Sequence, residues 1–92
     1  MDSEIDVHGL TCSEALRAVQ KFIEKLYVNN CRYFEIIHGY SHGNVLKQFF
    51  SNKNNYHSNK ILFVEPSWNE GRTCVYLKEG GEKNVKTKGC IN

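Results

Sequence analysis

The chain has 92 residues, with 12 lysine or arginine against 10 aspartate or glutamate and a formal net charge of +2. That length makes one small domain with a single modest core, and the near balance of charge leaves nucleic acid and small ligands both open, because steering depends on where charge clusters. No apolar run approaches the roughly 20 residues of a membrane helix, and the start Met1-Asp2-Ser3-Glu4-Ile5 lacks the basic-then-apolar layout of a signal peptide, so the expectation is a soluble cytoplasmic protein with no membrane partner.

The first predicted strand, Glu4 to His8, alternates Ile5 and Val7 on one face with Asp6 and His8 on the other. Thr11-Cys12-Ser13-Glu14 has the capping-box pattern, so a helix should start there. Its apolar positions Ala15, Leu16, Val19, Phe22, Ile23 and Leu26 follow the spacing of a one-sided helix, and Asn29-Asn30 offers a left-handed stop. Arg32 to His38 reads as a second, central strand, its nearly continuous aromatic and β-branched run predicting cover on both faces. Strand, helix and strand in this span have the size of a parallel βαβ unit. Both strands would then end at one sheet edge and bring His8 and His38 together.

Gly39 to Gly43 is a glycine-bracketed loop, and Asn44 to about Ser51 carries Val45, Leu46, Phe49 and Phe50 at helical spacing. Asn52 to Asn59 reads as a polar loop. Lys60 to Glu65 and Arg72 to Lys78 read as two further strands, paired antiparallel through the Asn69-Glu70-Gly71 turn. The domain would span residues 1–78, and residues 79–92, with no helical or strand period, read as a disordered tail. Cys12, Cys31, Cys74 and Cys90 are widely spaced with no CxxC pairing, which argues for reduced thiols, the first three as packing residues. Phe22, Phe49, Phe50 and Phe63 are expected in the core.

Three of the four histidines stand directly before glycine: His8-Gly9, His38-Gly39 and His42-Gly43. The segment Ile5-Asp6-Val7-His8-Gly9-Leu10-Thr11 and the segment Ile36-Ile37-His38-Gly39, followed by Pro66 and Asn69-Glu70-Gly71 ahead of the last strand, together resemble the Smr (small MutS-related) domain family over residues 4 to 78. The resemblance implies an α/β, two-layer α+β sandwich of βαβαββ order, a four-stranded mixed sheet with two helices, similar to the C-terminal domain of translation initiation factor 3. It also implies an endonuclease or nicking nuclease acting on DNA or RNA, in some cases on messenger RNA at ribosomes. One departure stands out: the family's second motif runs His-Gly-any-Gly, whereas Ser41 occupies the second glycine position here.

Cleaving a phosphodiester requires a base, an acid and donors for the charge on phosphorus. Two imidazoles can supply the first two near neutrality. The ribose hydroxyl opens that route to RNA without a metal, and Asp6 is the one acidic residue within either motif, which tilts the reading to RNA and leaves the metal, magnesium included, undetermined. The candidate catalytic residues are Asp6, His8 and His38. Gly39 and Gly43 would present backbone donors to phosphate, with Tyr40, His42, Lys47 and Arg72 as further contacts to nucleic acid. Tyr40 and Trp68 could stack on bases, Trp68 equally well folding onto the core. The rival readings are a module that binds nucleic acid or a ribosome through the same pocket without cleaving, and a small-molecule phosphohydrolase using the Gly39 to Gly43 loop.

Overall fold

The structure, a computed structural model, describes residues 3–39 and 44–79. In chain order these form β1 (Glu4–Asp6), α1 (Cys12–Val28), β2 (Tyr33–Ile37), α2 (Val45–Phe50), a single 3-10 turn (Lys53–Tyr56), β3 (Ile61–Pro66) and β4 (Arg72–Leu77). The four strands make one mixed sheet in the order β1-β2-β4-β3. β1 runs parallel to β2, while β2 and β4, and β4 and β3, are antiparallel. The expected βαβαββ order and two-layer architecture are both present. Tyr40, Ser41, His42 and Gly43, and the tail expected from residue 79 onward apart from Glu79, lie outside the described residues.

α1 forms where the pattern places it. The Thr11 side chain accepts from the Glu14 amide at 3.1 Å and the Glu14 carboxylate accepts from the Thr11 amide at 3.0 Å, the reciprocal cap of that motif. Ala15, Val19, Ile23 and Leu26 are buried, and Asn30 turns the chain out of the helix at φ 62°. The core joins this stripe to Val7, Phe34, Ile36, Phe50, Ile61, Val75 and Leu77. Full burial of one such side chain stabilises by about 1.5–3 kcal/mol.

Three expectations change. β2 is interior to the sheet, yet only one face is covered by helices; Tyr33, Glu35 and Ile37 on the other face are half-buried. Its apolar character there comes from cross-strand packing, as in the Tyr33 and Tyr76 rings 4.8 Å apart. Phe63 is likewise on that face, 43% exposed and stacked on Tyr76, instead of in the core. The polar loop at 52–59 contains the 3-10 turn and seats Tyr56 fully inside. Its hydroxyl donates to the Phe50 carbonyl at 2.8 Å, and burial pushes the phenol well up from its ordinary range. A lone apolar residue among asparagines leaves no periodic signal, which is why the sequence hides this plug. Cys12, Cys31 and Cys74 are free thiols, Cys74 buried.

Candidate active site

β1 ends in a sharp turn before α1. Val7 still donates to the Ile37 carbonyl at 2.9 Å, Leu10 closes back on Val7 at 3.1 Å, and Gly9 adopts φ 82°, a left-handed conformation that costs a β-carbon-bearing residue roughly 1–2 kcal/mol. β2 ends beside it. The His38 and Gly39 amides both donate to the Gly71 carbonyl, at 2.9 and 3.0 Å, so the turn before β4 is fastened to this same end of the sheet.

The parallel register pairs Asp6 with Ile37. Alternation therefore keeps His8 with Asp6 on the open side and sends His38 to the helix side with Ile36. Asp6 Oδ1 accepts from both the His8 amide, at 3.1 Å, and the His8 ring Nδ1, at 2.5 Å. The hydrogen bond from the His8 ring is the main cause that lowers the Asp6 carboxyl below its ordinary value. An ionised carboxylate can only accept, so the His8 Nδ1–H donates to it and the ring is oriented with Nε2 away from Asp6. The His8 side chain is 63% exposed, open to a large substrate.

His38 differs in burial and in its partners. It is 5% exposed. Its Nδ1 lies 3.3 Å from the Gly39 carbonyl and its Nε2 2.8 Å from the Thr73 hydroxyl. The carbonyl can only accept, so Nδ1–H donates to it and Nε2 accepts from Thr73. Burial, reinforced by the nearby Lys47 ammonium, lowers the His38 pKa from its ordinary value, which keeps the ring neutral. The expectation that the two imidazoles meet is thus corrected: both close strands at one sheet end, but Gly39 stands between them. A side chain at Gly39, whose φ is 71°, would come within 3.3 Å of the His8 Cβ.

On the helix side of this divide lies a cleft of about 350 Å³ lined by Gly9, Leu10, Thr11, Cys12, His38, Gly39, Val45, Leu46 and Lys47. Lys47 has no ion-pair partner among the described residues, leaving its charge available to an anion. Arg72 is placed otherwise. On the open face its guanidinium bridges Glu4 at 2.9 Å and Glu35 at 3.0 Å, so two carboxylates already occupy it. Among the described residues no three of His, Cys, Asp or Glu gather in a way that could hold a metal ion.

Sequence reasoning joined Asp6 to His8 and found Lys47, but missed Thr73, the Gly71 carbonyl and the two glutamates that hold Arg72. Thr73 carried a signal: it pairs with Ile36, so a strand alternation drawn through β4 puts a hydroxyl at a core position, where it needs a partner.

The chain resembles in fold the Smr domain of Thermus thermophilus MutS2, whose crystal structure superposes with a TM-score of 0.72 at 22% identity, covering 83% of this chain and 98% of that one. No curated protein sequence matches at a significant level. The sequence model of the Smr domain matches residues 5–78, a span that holds every strand and helix described except the first residue of β1, and the chain belongs to the Smr domain family.

Proposed function

We propose that this domain is an endonuclease that cleaves phosphodiester bonds, RNA in preference to DNA, with His8 as its general base and Asp6 as the carboxylate that orients it. The observation that carries the reading is the Asp6–His8 hydrogen bond at 2.5 Å, which orients an imidazole whose side chain is 63% exposed. Smr domains are known as nucleic-acid-binding, nuclease-like modules, and the family match supports a polymer substrate. On RNA, Nε2 takes the proton of a 2′-hydroxyl, the oxygen attacks the adjacent phosphorus, and the bond to the 5′-oxygen breaks. The products are a 2′,3′-cyclic phosphate and a 5′-hydroxyl protonated from water. Base catalysis of this kind contributes roughly 10²–10⁴-fold.

In the same reading Lys47 holds the phosphate from the cleft, together with Tyr40, His42 and Gly43, which lie outside the described residues, whereas Gly39, expected from the sequence to present its backbone donor to phosphate, has that amide taken by the Gly71 carbonyl at 3.0 Å. His38 serves as a neutral strut under the cleft, because both its ring nitrogens are engaged, and the carboxylates on Arg72 take that cation out of the phosphate set. No described helix is long and apolar enough to cross a membrane, and a cytoplasmic site of action fits this substrate. One sequence feature favours a second reading, a non-catalytic module binding nucleic acid or ribosome: Ser41 stands where the family motif has glycine.

The test is to incubate the purified domain with labelled single-stranded RNA, single-stranded DNA and nicked or branched duplex, with and without chelator, and to map the product ends. Cyclic phosphate ends that vanish in Asp6→Ala and His8→Ala establish the dyad. Cleavage unchanged in both variants overturns it, and binding without any cleavage establishes the module.

A further inference from the structure

Trp68 is the chain's one tryptophan and is 95% exposed, although tryptophan is highly buried on average. Among the described residues it makes no ring–ring or cation–ring contact. The turn that carries it is nevertheless tightly built. Ser67 Oγ accepts from the Asn69 amide at 3.2 Å, Asn69 Oδ1 accepts from the Gly71 amide at 2.9 Å, and the Arg72 amide donates to the Asn69 carbonyl at 3.0 Å.

This turn is also tied to the candidate active site, because the Gly71 carbonyl receives both the His38 and Gly39 amides, and Gly39 abuts His8. A broad apolar plane is therefore held in solvent, on a pre-ordered support, at the end of the sheet where the dyad sits. We infer that Trp68 is a stacking platform for an unpaired base next to the scissile bond, and that the substrate is a single strand. The inference rests on the nucleic-acid reading given above. Stacking suits any unpaired base, since each has a π-face, and is denied to a base inside a duplex. Glu65 and Glu70 lie within three positions of Trp68 in the chain and are both exposed, the Glu65 carboxylate accepting from the Tyr76 hydroxyl at 3.0 Å. Their carboxylates repel phosphates from the turn while tolerating a neutral base, which leaves the backbone to the Lys47 side.

The single tryptophan reports on itself. Intrinsic fluorescence is followed while an uncleavable 2′-O-methyl RNA single strand, or the corresponding duplex, is titrated into the intact chain; anisotropy of a labelled strand gives binding independently. The expected result is quenching by the single strand and not by the duplex, with single-strand affinity falling roughly 5- to 150-fold in Trp68→Ala, the range of base–aromatic stacking, and largely kept in Trp68→Phe. Circular dichroism checks that each variant is folded. A strand that binds by anisotropy with no fluorescence change and no loss in Trp68→Ala overturns the platform and leaves the nuclease reading standing. Equal quenching by duplex also overturns it. Absence of binding to either form overturns both readings.

Discussion

The two His-Gly turns at the end of the sheet are near-copies in sequence and opposites in structure. His8 lies open, its proton held by Asp6; His38 is buried, its proton held by a backbone carbonyl and its other nitrogen by Thr73. The cause is parity. Asp6 pairs with Ile37, so the residue after β2 faces the helices while the residue two past Asp6 stays on the open side. A shared dipeptide thus carries no shared role; the register decides which histidine meets solvent and which supports the floor.

The largest expected effect separates the two turns by activity. His8→Ala should lower RNA cleavage by roughly 10²–10⁴-fold while shifting unfolding free energy by no more than about 0.5 kcal/mol, read from initial rates and urea titration of the same preparation. His38→Leu should invert the stability half of that comparison. It leaves the buried Thr73 hydroxyl without its acceptor and costs about 1–3 kcal/mol. Thr73→Val, which strips the donor from the other side, should cost a similar amount; if both variants unfold at the wild-type urea midpoint, the strut is not one.

The pH dependence of stability sharpens the same contrast. The folded His38 pKa lies below its ordinary value of 6.5, so between the two values the unfolded chain binds the proton and the folded chain does not. Stability from this group is complete above about pH 6.5 and is lost as pH falls toward the folded pKa. Urea midpoints at pH 7.5 and 5.5 should therefore converge in His38→Leu relative to wild type. The smallest effects belong to the glycines. Both Gly9→Ala and Gly39→Ala incur roughly 1–2 kcal/mol for a left-handed backbone, but only Gly39→Ala also crowds a neighbour, the His8 Cβ at 3.3 Å. Gly39→Ala should be the more destabilising and should perturb the His8 ring resonances, whereas Gly9→Ala meets open space.

Much of this was legible in the sequence because it is written in short-range pattern. The capping box, the apolar stripe of α1 and the alternation through Ile5, Asp6 and Val7 all act between near neighbours, and they place Asp6 and His8 on one side before any fold is known. The fate of His38 depends on which β4 residue comes to lie beneath it, a contact across 35 positions. The occupation of Arg72 depends likewise on Glu4 and Glu35, from two other strands. Tyr56 was hidden for a different reason: it fills the core from an irregular turn, where no period announces an inward side chain.

β1, which carries Asp6, is three residues long and pairs with β2 alone among the described residues. Such a short edge is held by few backbone bonds, and elements of that kind open locally well below the free energy of global unfolding. On gentle heating the chain should lose cleavage before it loses its circular dichroism, and the Val7 amide should exchange its hydrogen faster than those of the interior strands. Thermal inactivation and melting would then be two separate temperatures, and a screen that ranks variants by melting alone would overlook those that protect the dyad.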